Sequence, residues 1–329
     1  MVGVVWSRCA GRDCVRFSGP VAHPQVRPSS AAVSAPAMAG TLVDDGGDVC
    51  FVPRFGFVAG TEYTVTSAGT VLATLTRPAR AVSPIAAVAA IHPTVDVVPR
   101  NLLRCYVTFT APMAEGDAAT RVRLVDDAGT VLDDALLPTE YELWSTDHTR
   151  LTVLLDPARI KRGLAGHRAA GYPLRTGERV RLVVDTGFRD ATGAPLAAGG
   201  ERTYHVGDDL RGHVDPATWH LTPPAAGTRE PLAVAFGRPL DSALLGRCLR
   251  VVGPAGPVAG AAVAGDGERA WRLTPALPWQ PGPHRLLVDP VLEDVAGNAV
   301  GRVFDRDLAD PADGPVTTGF AEVTFAPTT

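Results

Sequence analysis

Lysine is almost missing from this chain. Of 31 basic residues in 329, only Lys161 is not arginine. Aromatics are sparse at 6%, so any packed interior falls to Val, Leu and Ala. A basic excess is also lacking: 35 acidic residues leave a net charge of −4, which argues against a surface built on phosphate backbones and makes a nucleic-acid partner unexpected. No run of about 18 apolar residues occurs, so no membrane span is expected. The first twenty residues carry no charged segment followed by a long apolar core, and they do not read as a signal peptide. The five cysteines are odd in number and mostly far apart, unlike a disulfide framework. Cys9-x4-Cys14 resembles half a metal site, but no second pair follows at suitable spacing, and ordinary thiols are the expectation. The nucleophile elbow G-x-S-x-G, the zinc motif H-E-x-x-H, the P-loop and a strand-linked G-x-G-x-x-G are all missing, so no enzyme is expected.

What is present is β patterning and repetition. Hydrophobic residues make up 46%, and 34 glycines and 29 prolines punctuate short apolar runs. A chain of this length suggests two or three domains. Leu103, Cys105, Val107 and Phe109 alternate with Arg104, Tyr106, Thr108 and Thr110, the period of a strand with one buried face. Val122–Val125, the turn Asp126-Asp127-Ala128-Gly129 and Thr130–Leu132 read as a hairpin. The same features return 127 residues later at Leu232, Val234 and Phe236, then at Leu249–Val251 and Ala255-Gly256. Further on, Val184-Asp185, Asp190 and Gly193 recur at an offset of 104, as Val288-Asp289, Asp294 and Gly297. The difference leaves 23 extra residues in the middle unit, expected within 156–176, where Asp156 and Pro157 signal a short capped helix. At an offset of 222, Val49, Phe51, Pro53 and Gly60 align with Trp271, Leu273, Pro275 and Gly282.

These repeats predict an all-β fold of tandem Ig-like β-sandwich domains with a short helical insertion in the middle one. The expected layout is a disordered leader over 1–27 and an incomplete Ig-like unit over 28–83. A sandwich over 84–207 with the insertion 156–176, a further sandwich over 208–309 and a tail over 310–329 follow. Within the tail, Phe320–Phe325 reads as one more strand.

The third unit resembles the bacterial Ig-like domains of the S-layer-protein type known as SbsA Ig-like domains. The resemblance is carried by Leu221-Thr222-Pro223-Pro224, by Val234-Ala235-Phe236-Gly237-Arg238-Pro239-Leu240, by Leu273-Thr274-Pro275 with Pro281-Gly282, and by Leu292-Glu293-Asp294-Val295-Ala296-Gly297-Asn298. The middle unit carries Val107–Met113 and Phe188–Gly193, with Ala194 in place of the asparagine. It covers roughly residues 90–308. The resemblance implies a non-enzymatic spacer or adhesion module, extracytoplasmic and associated with a bacterial cell envelope, with a protein or polysaccharide partner. An accessory carbohydrate- or substrate-binding part of an extracellular hydrolase is the alternative. The literal N-terminus suits a third reading, a cytoplasmic partner-binding protein.

No cofactor is expected, with calcium the one candidate ligand. Asp289, Glu293 and Asp294 cluster around a turn, Asp185 and Asp190 do so in the middle unit, and hard cations want several such oxygens. The competing reading has Asp294 and Asp190 cap their own turns. The tail adds Asp305, Asp307, Asp310 and Asp313, expected as a solvated acidic edge. The basic insertion, with Arg159, Lys161, Arg162, His167, Arg168 and Arg175, is a candidate surface for an anionic partner, against the plainer role of stabilising its own helix. Trp279, in a turn before Pro281, is expected to be exposed and to join Trp144 in a binding platform; Trp271 is expected in the core. Glu140 and Glu142 flank Tyr141, but alternate strand positions place both on one solvated face. His213 and His220, seven apart, read as surface histidines.

Overall fold

The computed structural model describes residues 2–9, 11–30, 36–58, 60–78, 85–138, 141–306 and 319–328. The chain divides into two compact units, residues 1–82 and 83–329.

Among its described residues the first unit has seven strands: β1 (Val4–Cys9), β2 (Arg12–Phe17), β3 (Pro24–Pro28), β4 (Gly40–Asp45), β5 (Asp48–Pro53), β6 (Glu62–Ser67) and β7 (Thr70–Thr76). They form two sheets, ordered β1-β2-β5-β4 and β3-β6-β7. The leader expected over 1–27 is therefore three strands, and the unit expected to be incomplete is whole. The cause lies in the hairpin β1–β2. Its two-residue loop pairs Cys9 with Arg12 and places Gly11 at φ 77°, where glycine has no steric cost. One face of that hairpin supplies Val4, Trp6, Val15 and Phe17 to a core with Val26, Phe51, Tyr63 and Val65. Trp6 meets Phe57 and Tyr63 edge-on, with ring centroids 4.7 and 5.9 Å away.

The second unit holds two sandwiches. The first of them contains β8 (Val88–His92), β9 (Val97–Pro99), β10 (Arg104–Phe109), β11 (Val122–Asp126), β12 (Leu143–Trp144), β13 (Arg150–Leu154), β14 (Arg179–Val184) and β15 (Gly200–Gly207). Short helices α1 (Ala118–Arg121), α2 (Pro157–Ile160) and α3 (Ala165–Ala170) interrupt the strands. The other is built from β16 (His220–Thr222), β17 (Leu232–Ala235), β18 (Leu249–Gly253), β19 (Gly256–Pro257), β20 (Gly260–Ala264), β21 (Ala270–Pro275), β22 (His284–Val288) and β23 (Ala321–Phe325), with α4 (Ser242–Leu245) before β18. The expected tail thus completes a sheet through β23.

The sheet orders are β12-β13-β10-β8 over β11-β14-β15-β9, then β16-β17-β21-β20 over β19-β18-β22-β23. When the main strands of each sandwich are lettered A to G in chain order, all three place A-B-E-D in one sheet and C-F-G in the other. That is the constant-type immunoglobulin arrangement. β9 is an addition beside the G strand of its sheet, and β19 an addition beside the C strand of the other.

Strand register locates the extra residues of the middle unit. Val107 pairs with Leu151 as Val234 pairs with Trp271, and Leu124 with Leu182 as Val251 with Leu286. The offset therefore falls from 127 to 120 across the β11–β13 connection and to 104 across β13–β14. Seven of the 23 residues lie in the first connection, and only 16 in the helical insertion where all were expected. The insertion opens as predicted: Asp156 Oδ1 accepts the Ala158 N–H at 2.9 Å, with Pro157 at the first position of α2.

Candidate functional site

The turn carboxylates are consumed by their own turns. Asp294 is 0% exposed. Its Oδ1 accepts the N–H groups of Ala296 (2.9 Å) and Asn298 (3.0 Å), and its Oδ2 accepts from Nδ2 of Asn298 and Nη1 of Arg238, both at 3.0 Å. Burial raises its pKa above the ordinary 3.8, and the bonds from Asn298 and Arg238 offset part of that. Asp190 makes the matching cap, accepting from Thr192 N–H (2.8 Å), Thr192 Oγ1 (2.6 Å) and Ala194 N–H (3.0 Å). Against the cost of burial, these bonds hold its pKa below 3.8. Asp289 accepts the Val291 N–H at 3.0 Å. Glu293 is ion-paired with Arg104, and burial pushes its pKa up despite that partner. Asp289, Glu293 and Asp294, the residues expected to hold calcium, thus face different partners, and among the described residues their ligand atoms do not form a group within 4.8 Å of one another.

The basic insertion also works inward. Arg159, with a side chain only 11% exposed, donates to the carbonyls of Asp134 (3.0 Å), Gly171 (3.1 Å) and Tyr172 (2.8 Å). Arg162 Nε donates to Asp305 Oδ2 at 2.9 Å, and Lys161 Nζ lies 4.5 Å from the centroid of Phe304. Arg168 remains exposed. The surface expected to meet an anionic partner is thus largely a brace between the insertion and residues 304–305. Asp305, expected on a solvated edge, is its acceptor; Asp307, Asp310 and Asp313 lie outside the described residues.

The aromatic platform does not form. Trp279 is 2% exposed, and its indole N–H donates to the Glu230 carbonyl at 2.8 Å. Trp144 packs on Phe109 and Phe188 and stacks on His148. Trp271 is buried in the core, as expected. Glu142 accepts from the Ala118 N–H (2.6 Å) and the Trp144 indole (2.7 Å), so it is a structural acceptor; Glu140 lies outside the described residues. His213 is half-buried and His220 exposed.

What sequence reasoning missed is a polar junction between the two sandwiches of the second unit. Leu103 N–H donates to the Val295 carbonyl at 3.0 Å, and Val295 packs into the middle core. Glu268, buried with φ at 50°, accepts from Thr94 N–H (2.7 Å) and Thr94 Oγ1 (3.0 Å) and lies 2.7 Å from His92 Nδ1. Asp241 caps α4 through Oδ1 and accepts the Tyr106 hydroxyl through Oδ2 at 2.7 Å. Arg104 Nε lies 3.5 Å from the same Oδ2. Burial pulls the Arg104 pKa down, but Asp241, Tyr106 and Glu293 together outweigh it and raise the pKa above its ordinary value. Nδ2 of Asn101 and Nδ2 of Asn298 both donate to the Leu210 carbonyl, at 2.9 and 3.0 Å. Gly297, at φ 84°, comes so close to Leu103 that a Cβ would sit 2.5 Å from that side chain.

Two other features stand apart. A groove of about 760 Å³ opens along β11, β12 and β13, lined by Leu124, Leu132, Leu136 and Val153 with Glu115 and Arg123 among its polar residues. In the first unit, Cys9, Cys14 and Cys50 are the only described group of three His, Cys, Asp or Glu residues whose ligand atoms lie within 4.8 Å of one another. Burial, reinforced by contacts with Cys9 and Cys50, pushes the Cys14 thiol up to about 12, and burial raises Cys50 as well. Neither is an activated nucleophile.

The folding topology defines the class: a tandem of constant-type Ig-like sandwiches. No protein-family model matches the chain, and no curated protein does. Among solved structures, the FN1–FN3 domains of chicken CNTN1 are similar at 9% identity and a TM-score of 0.22, over 99% of this chain and 98% of that one. The N-terminal part of the bacterial S-layer protein SbsC gives 13% and 0.26, over 74% and 44%. The Yersinia pseudotuberculosis adhesin InvE gives 11% and 0.26, over 65% and 63%.

Proposed function

We propose that this chain is a non-enzymatic module protein of the bacterial cell envelope, in which consecutive Ig-like sandwiches act as a stiff structural spacer. One observation carries the reading: the junction in which Asp241 and Glu268 of one sandwich are hydrogen-bonded by Tyr106 and Thr94 of the other. Flexible domain connections are the default when an interface is small and solvated. Here the buried Glu268 side chain accepts from Thr94 of the other sandwich and Asp241 Oδ2 from Tyr106, so separating the sandwiches leaves both carboxylates without those partners. The envelope location and the link to S-layer-type modules rest on the motif resemblance.

The test is calorimetry and small-angle scattering on the full chain. The two sandwiches of residues 83–329 should melt in one transition, and the double variant Tyr106→Phe/Glu268→Ala should split it and broaden the distribution of particle dimensions. Separate melting in the unaltered chain would sink the spacer reading. A binding role is favoured by the groove beside β11, whose volume lies in the range of small-ligand sites. There, an apolar dye should bind and be excluded by Leu136→Trp; a dye indifferent to that change would remove this second reading.

A further inference from the structure

The three cysteines of the first unit are not part of its main core. Val15 pairs with Phe51, and these residues with Phe17 face the other sheet. Side chains alternate along a strand, so Cys14 and Cys50 project from the opposite face. Cys9 joins them there, because Ser7 pairs with Cys14 and Cys9 with Arg12. On that face they form a separate buried cluster with Val52. All three are free thiols, exposed by 6%, 0% and 0%.

The spacing suits a metal centre. Three sulfurs within 4.8 Å of one another enclose a point no farther than about 2.8 Å from each, and a metal–thiolate bond of about 2.3 Å needs only a small contraction. Soft thiolates select soft cations. Among the described residues no His, Asp or Glu joins the group, so the donor set stops at three. Structural zinc is almost always four-coordinate, which disfavours it here. Arg16 flanks the cluster: it pairs with Cys50 across the sheet, and its Nε is buried with no hydrogen-bond partner among the described residues. The guanidinium, whose Nη atoms pair with Asp45 and Asp48, puts a cation at the strand position facing Cys50.

We infer that Cys9, Cys14 and Cys50 form a trithiolate site for cuprous copper. Binding exchanges three S–H protons, released to solvent, for one Cu(I), with no change of oxidation state. The product carries two negative charges, which Arg16 partly offsets.

The experiment is an anaerobic titration of the full chain with Cu(I), in competition with a bathocuproine chelator, followed by X-ray absorption at the copper edge. The expected result is one retained equivalent with three sulfur neighbours. Cys9→Ala and Cys14→Ser should each lose that equivalent, with circular dichroism confirming that the β signal persists. Cys105→Ala and Cys248→Ala should keep it. Arg16→Gln, which alters no ligand, should weaken retention by about 10- to 100-fold, as loss of an outer-shell partner does. Failure to retain copper against the chelator, fewer than three sulfurs at the metal, or retention in folded Cys9→Ala would each overturn the assignment.

Discussion

Asp294 takes hydrogen bonds from two backbone amides, an asparagine and an arginine in a site closed to solvent. Asp294→Ala strands the amides of Ala296 and Asn298, while Asn298 Nδ2 keeps the Leu210 carbonyl and Arg238 the Gly212 carbonyl. The expected loss is about 2–6 kcal/mol from the two unsatisfied amides, read as a lower urea midpoint for residues 83–329. Asp305 shows a pH-linked contribution. Burial opposes its ionisation, but bonds from Arg211 and Arg162 hold its pKa below 3.8. A carboxylate with a lowered folded pKa stabilises the fold above its unfolded pKa, and that stability disappears as pH falls through the folded value. Asp305→Asn should therefore cost about 1.5–3 kcal/mol at pH 7, with the gap to the unaltered chain closing as the pH falls below 3.8; equal gaps at both pH values would refute the linkage. Tyr106 illustrates the limit of single-residue reading. Its place on the outward side of an alternating strand was legible, but its burial was not, because the surface that covers it belongs to the next sandwich.

At the scale of elements, strands that recur were read well. β10 and β17, β11 and β18, and β14 and β22 keep one register through the repeat, and the equivalent turn glycines Gly129 and Gly256 both sit at positive φ. β1 to β3 went unread for a physical reason. Arg8, Arg12, Asp13 and Arg16 interleave with the apolar residues of a hairpin whose outward face carries cysteines, and its loop lacks an Asn-Gly signal. These strands supply Val15, Phe17 and Val26, half of the buried core of the first unit. A chain beginning at Pro28 should lose the cooperative unfolding of that unit, seen as rapid proteolysis within residues 40–76, while residues 83–329 melt unchanged. Survival of a protected 28–76 fragment would restore the leader reading. The insertion was placed correctly as a capped helix, but the sequence pattern could not divide the extra length between two connections. Pairing register alone does that.

Across the whole molecule, the tandem architecture was readable because repetition is a property of the sequence itself. The junction was not. Its partners lie 135 residues apart for Tyr106 and Asp241 and 174 for Thr94 and Glu268, and no local pattern marks them. The expected exposure of Trp279 failed for a related reason: the neighbouring strands enclose a residue that the local sequence places in a turn. The cysteine group was half visible as Cys9-x4-Cys14, and Cys50 joins it only through the pairing of β2 with β5.

The parallel pairing of β9 with β15 has a mechanical consequence. His205, Val206 and Gly207, at the end of the middle sandwich, run beside Val97, Val98 and Pro99 near its start, joined by bonds from the His205 N–H to Asp96 (2.8 Å) and the Arg100 N–H to Gly207 (3.1 Å). Tension applied through the chain ends loads these bonds lengthwise and together, in shear. In the first unit, β1 and β7 belong to different sheets, so the same tension can open it stepwise from an edge. A stretching experiment should therefore see the first sandwich yield at lower force than the middle one, making residues 1–82 the more extensible part of the chain.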